Sequence, residues 1–163
     1  FPEGEDEDTD ETDGDMASWS QAFWRESTLT SLLELLLGFE INKDDWRTLL
    51  TGAKARLPEI LARREAFLQA YQGKRQEYDN LLTYFLYRHF MKALGDDAVQ
   101  DKVQLALVST AVIQLLDVYE WLAKGEVTHW AQICICKAYS REIEYNEDNT
   151  EQLAAFSVLD EME

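Results

Sequence analysis

VQLALVSTAVIQLLDVYEWL, residues 103 to 122, is the stretch whose reading decides the fold. It is apolar nearly all the way round a helical wheel, and such a helix has to be covered on every side. The stretch therefore predicts the central helix of a bundle. Its longest apolar run, from Leu105 to Leu116, falls short of the roughly 20 residues that cross a bilayer, so no membrane contact is expected.

Working outward, the punctuation suits helices throughout. Downstream, Gly125 ends the central helix and Thr128 starts the next, which finishes within KAYSREIEYNEDN at residues 137 to 149. NTEQ, from Asn149 to Gln152, has the form of a capping box and leads into a terminal amphipathic helix. Upstream lies a strongly aromatic helix, EYDNLLTYFLYRHFMKAL at residues 77 to 94, closed by Gly95, with Asp96 or Asp97 capping the central helix.

Before a polar interruption at Gly73, Pro58 either starts a third helix, with Ile60, Leu61, Phe67 and Leu68 as its apolar contacts, or kinks one long helix. Asn42 is the expected cap of the second helix, and SWSQ at Ser18 opens a first helix that continues through LTSLLELLL to Gly38. No stretch alternates with period two, so strands are not expected. The predicted architecture is all-α, a bundle of six or seven helices over residues 16–163.

A hydrophobic content of 46% with 12% aromatic residues is ample for one core in a 163-residue chain. The formal charge of −17 is uneven: residues 1–15, FPEGEDEDTDETDGD, hold nine of the 32 acids and no Lys or Arg. From Met16 onward, 23 acids face 15 bases, a balance of −8. The opening segment repels itself and offers almost nothing apolar to bury, so it is expected to be disordered. Phe rather than Met at position 1 suggests a fragment, a processed product or a trimmed chain, and no secretory signal follows it.

Cys134 and Cys136 are the only cysteines. Two positions apart on a helix they point about 200° from one another and share neither a metal nor a bridge. They read as small buried hydrophobes in a reducing compartment, which places the protein in a cytoplasm. The sequence contains no Gly-x-Gly fingerprint, no phosphate loop and no His-x-x-x-His pair, so no metal site is expected. Its negative balance opposes nucleic acid, where phosphate neutralisation supplies most of the affinity.

Two polar clusters stand out. In YFLYRHF, Tyr84 and Arg88 share one helix face, while Phe85 and His89 share the neighbouring one with Tyr78, Leu81 and Leu82. His89 is thereby on or beside the core-facing stripe, serving either packing or a substrate or cofactor contact. On the helix that ends in KAYSREIEYNEDN, the residues Ile135, Tyr139 and Ile143 form an apolar row, and Lys137, Arg141 and Glu144 lie on another face where Glu144 can meet either base.

A solvated salt-bridge row adds only about 0.3 to 0.5 kcal/mol per pair, a weak reason to assemble it. The expectation is that this helix end packs against the helix of Tyr84, Arg88 and His89, pairing its charges across a partly dry groove. Glu142 and Glu144 could also meet a lysine ammonium there, with the tyrosines against its stem.

The succession NLLTYFLYRHFMKAL, a long apolar helix, then KAYSREIEYNEDNTEQL resembles the C-terminal helical region of the flagellin lysine-N-methylases, over about Trp24 to Leu153. The resemblance implies a protein substrate, flagellin, S-adenosylmethionine as methyl donor, and an N-terminal cysteine-rich region holding an iron–sulfur cluster. This chain departs from that pattern, since such clusters need about four thiolates. It is expected to be inactive alone, as a scaffold or substrate-recognition part. The resemblance assigns no catalytic duty to Arg88, His89, Arg141 or Glu144. The alternatives are a non-catalytic interaction module, whose acidic arm contacts a basic partner, and a helical ligand-binding regulatory domain.

Overall fold

The structure is a computed structural model that describes residues 17–92 and 99–156. Among these it has eight α-helices and no strand: α1 (17–23), α2 (Glu26–Gly38), α3 (Asp44–Ala55), α4 (Leu57–Ala70), α5 (Lys74–Lys92), α6 (Val99–Lys124), α7 (His129–Tyr139) and α8 (Glu147–Ala154). A π-helical segment, Ser140–Glu144, continues α7 without a break. The acidic opening, Gly95 and the two candidate caps Asp96 and Asp97 lie outside the described residues.

The central helix is where the apolar run predicted it. α6 is packed by α3, α4, α5, α7 and α8, and buries Leu105, Val108, Val112, Leu115, Leu116 and Val118. It is long and apolar enough to cross a membrane, but two thirds (67%) of its most apolar window is covered by the other helices. Trp46, Phe67, Phe85 and Tyr139 close the core around it, and Trp46 and Phe85 each meet Tyr139 edge to face. Truncating a buried leucine such as Leu116 to Ala in packing of this kind costs about 2 to 5 kcal/mol.

Several helix boundaries also fall where the residues place them. Pro58 sits in the first turn of α4, Gly125 follows α6 at φ 81°, and the Thr128 hydroxyl accepts from the Ala131 N–H at 3.0 Å. Others differ. The single first helix expected from Ser18 to Gly38 is two, because Arg25 is extended, and the chain is already helical at residue 17. The break is held by the Thr28 hydroxyl, which donates to the Ala22 carbonyl at 2.9 Å and occupies an acceptor that continuous helix would have used. This division gives eight helices rather than six or seven.

Asn42 does not cap α3. Lys43 takes the cap position with no side-chain hydrogen bond of its own, and a distant carboxylate, Glu142, serves that corner instead. The NTEQ form is likewise not the cap of α8. Asn146 is, accepting from the Asn149 N–H at 3.1 Å, because the Asn149 amide is needed elsewhere: it donates to the carbonyls of Glu40 (3.2 Å) and Glu142 (2.9 Å). Cys134 is exposed and only Cys136 is partly buried, since α7 turns its Cys134 side to solvent.

Candidate functional site

The polar residues singled out in the sequence assemble around the π segment. There the Tyr145 N–H reaches back five residues to the Ser140 carbonyl at 3.1 Å, one residue further than an α-helix allows. Glu142 and Glu144, two apart, project to opposite sides, and both are buried.

Glu144 faces α5. Its carboxylate accepts from Arg88 Nε at 2.8 Å, Ser140 Oγ at 2.6 Å and the Tyr84 hydroxyl at 3.2 Å. Partial burial, and then this carboxylate, raise the Tyr84 phenol above its ordinary range. Glu142 faces the start of α3. It accepts from the N–H groups of Asn42 (2.8 Å) and Lys43 (3.1 Å) and from Arg141 Nε (3.1 Å), while Arg141 also reaches Asp45 at 2.7 Å.

The four charges therefore pair as Arg88 with Glu144 and Arg141 with Glu142. Glu144 meets neither Lys137 nor Arg141, which the helical face had suggested; Lys137 is exposed and lies over the Trp130 ring. Tyr139 is fully buried, its hydroxyl bonded to Ser109. His89 is buried and stacks on Phe85, with ring centroids 6.1 Å apart and planes 8° from parallel. Tyr84, Arg88 and Glu144 are thus brought together, Arg141 and Glu142 form a second set, and Tyr139 and His89 belong to the core between them.

Neither Glu142 nor Glu144 lines the larger of the two cavities described. That cavity, of about 670 Å³, lies between α5, α6 and α7. Tyr78 and Leu81 line it from α5, Ile113 and Asp117 from α6, and Gln132, Ile133 and Cys136 from α7, with Arg141 and Tyr145 at its edge. Ile113 and Asp117 are four apart on α6, as Gln132 and Cys136 are on α7, so each helix presents one consistent stripe.

Asp117 is the unusual member: a carboxylate with no solvent exposure, on the central helix. Its Oδ2 accepts from the Tyr78 hydroxyl at 2.6 Å and from Gln132 Nε2 at 3.1 Å. Oδ1 has no hydrogen-bond partner among the described residues. Lys74 comes near without bonding to the carboxylate, its ammonium donating to Gln132 Oε1 and pairing with Glu77 at 3.4 Å. Burial pushes the Asp117 carboxyl up to about 6 against the pull of the Tyr78 and Gln132 hydrogen bonds. Burial, and then the Asp117 charge, push the Cys136 thiol up to about 11 and raise the Tyr78 phenol.

The FliB lysine N-methylase C-terminal domain family model matches residues 12–161, nearly the whole chain. The chain belongs to that family. No curated protein and no solved structure matches it at a significant level.

Within this FliB C-terminal domain, the described residues contain no group of three or more His, Cys, Asp or Glu side chains placed to hold a metal ion. Two thiols, one exposed and one half-buried, do not fit an iron–sulfur cluster that needs about four thiolates.

Sequence reasoning did not single out Asp117, Gln132 or Lys74. The signal for Asp117 was in plain view, since it interrupts an otherwise apolar run on a helix that packing surrounds. Gln132 and Lys74 carried none, because their roles depend on α5 and α7 meeting across α6.

Proposed function

We propose that this domain is the substrate-recognition part of a flagellin lysine N-methylase acting in the cytoplasm, and that the cavity between α5, α6 and α7 receives the lysine side chain. The observation that carries this reading is a buried carboxylate, Asp117, among the residues lining an otherwise mainly apolar cavity, with one oxygen unpaired among the described residues. A lysine side chain has the matching form, an apolar four-carbon stem ending in an ammonium. Membership of a lysine N-methylase family supports a lysine as the group acted upon.

The chemistry of methyl transfer, with S-adenosylmethionine and an iron–sulfur cluster as the resemblance implies, belongs on this reading to a part of the enzyme other than the described residues. The task of the domain is to bind and orient. Filling the cavity tests it. Ile133 lines the cavity and is only half-buried, so Ile133→Trp adds bulk there without overpacking the core. Isothermal titration with lysine-containing flagellin peptides is expected to show binding to the wild-type domain and its loss in a folded Ile133→Trp variant. Unchanged affinity in that variant would overturn the reading.

A further inference from the structure

We propose that Asp117 makes the cavity selective for an amine that still carries N–H groups, so that unmethylated lysine binds in preference to its trimethylated form. The proposal rests on the reading of the cavity as the lysine site and adds the atom that discriminates between methylation states.

An ionised carboxylate offers about four lone-pair positions over its two oxygens. On Asp117 both protein donors, Tyr78 and Gln132, are spent on Oδ2, and Oδ1 is left without one among the described residues. Buried acceptors in folded proteins are paired, and an exception marks a place where a ligand, ion or water completes the set. Here the exception carries a negative charge, so the fitting donor is a cation with an N–H.

None of the described cations near the cavity bonds to Asp117, although the Lys74 charge acts on it. Lys74 is held by Gln132 and Glu77, Arg141 by Asp45 and Glu142, and Lys137 lies over Trp130. The field of Asp117 is felt within the wall, since it helps to raise the Cys136 thiol. Leu81, Ile113 and Ile133 supply apolar surface for the methylene stem.

A primary ammonium brings three N–H donors to such a site, and a trimethylammonium brings none. The trimethylated group would bury Oδ1 still unpaired while giving up its own hydration. Hydrogen bonds to charged groups are among the stronger ones, which sets the expected preference at about tenfold or more.

The test uses Nα-acetyl-lysinamide and its Nε-trimethyl counterpart, titrated calorimetrically against the whole chain, against Asp117→Asn and against Ile133→Trp. The proposal expects the wild type to favour the unmethylated probe by about tenfold or more, Asp117→Asn to bind both alike, and Ile133→Trp to bind neither. Equal affinity in the wild type, or a preference that survives Asp117→Asn, overturns the methylation-state claim while leaving the cavity reading intact. Probes that still bind Ile133→Trp unchanged overturn the cavity reading itself.

Should Asp117→Asn fail to fold, the wild type measured at pH 5 replaces it. Protonating Asp117 removes the charge and the preference is expected to collapse; a preference that holds at pH 5 contradicts the proposal. Around Asp117 the charged and titratable groups are Lys74, Glu77 and Tyr78 on α5 and Cys136 on α7, and His129, Lys137 and Arg141 line the same cavity. The Tyr78 phenol and the Cys136 thiol, both raised, keep their protons across that interval, so Glu77→Gln and His129→Gln serve as the controls for the other groups.

Discussion

Glu142 and Glu144 on the π segment and Asp117 on α6 are all buried carboxylates, and they are treated in opposite ways. Each glutamate receives three donors, one of them a guanidinium. Asp117 receives two neutral donors on one oxygen and none on the other. A charge that is fully paired and hydrogen-bonded serves the fold, because it ties α7 to α3 on one side and to α5 on the other. A charge left half-satisfied on the central helix weakens the fold locally, and beside a cavity it is the feature on which the proposed lysine site rests.

The contrast is sharpest in stability. Glu144→Ala removes the acceptor for Arg88, Ser140 and Tyr84 together, and Arg88 is only 27% exposed. The expected loss is about 3 kcal/mol, at the lower end for breaking a buried pair because Arg88 keeps some water. Chemical denaturation would check it, and a loss below about 1 kcal/mol would mean that the pair is an ordinary surface contact.

Next in size comes a pH effect of opposite sense at Asp117. Its carboxyl is raised from 3.8 to about 6 in the folded chain, so the folded state holds the proton more tightly than the unfolded one. Its contribution to stability is therefore complete below pH 3.8 and is lost as pH rises through about 6. That difference corresponds to about 3 kcal/mol at most. Denaturation of wild type and Asp117→Asn at pH 4 and pH 7 isolates it: relative to the variant, the wild type is expected to lose stability at the higher pH. A constant difference between the two proteins would break the comparison.

The smallest effect is expected at Arg141. Its second partner, Asp45, is 63% exposed, and without Arg141 the Glu142 carboxylate keeps the N–H groups of Asn42 and Lys43. Arg141→Ala is thus expected to cost about 1 kcal/mol or less. A loss as large as that of Glu144→Ala would show that backbone donors alone do not hold Glu142.

The fold was legible where one element decides locally. An apolar stretch from residue 103 to 122 has a single use in a chain of this size, and Pro58, Gly125 and Thr128 act within one turn of themselves. It was illegible where a distant group replaced a local one. Asn42 looks like a cap, yet the acceptor at that corner is Glu142, a hundred residues away. Asn149 looks like another, yet its amide is taken by Glu40 and Glu142.

The pairing within the polar cluster was not legible, because helical spacing places Glu144 near Lys137 and Arg141 but says nothing of Arg88 on α5. The cavity was not legible at all. Its walls come from three helices, and no local pattern states that Tyr78, Asp117 and Gln132 meet.

The central claim, that Asp117 waits for an ammonium, is tested most directly by following its carboxyl carbon by NMR as pH is varied, with and without a saturating lysine peptide. In the free domain the group is expected to titrate at about 6. With the peptide bound, a neighbouring positive charge favours the ionised form and the midpoint is expected to fall. A midpoint that stays where it was, with the peptide demonstrably bound, would contradict the account.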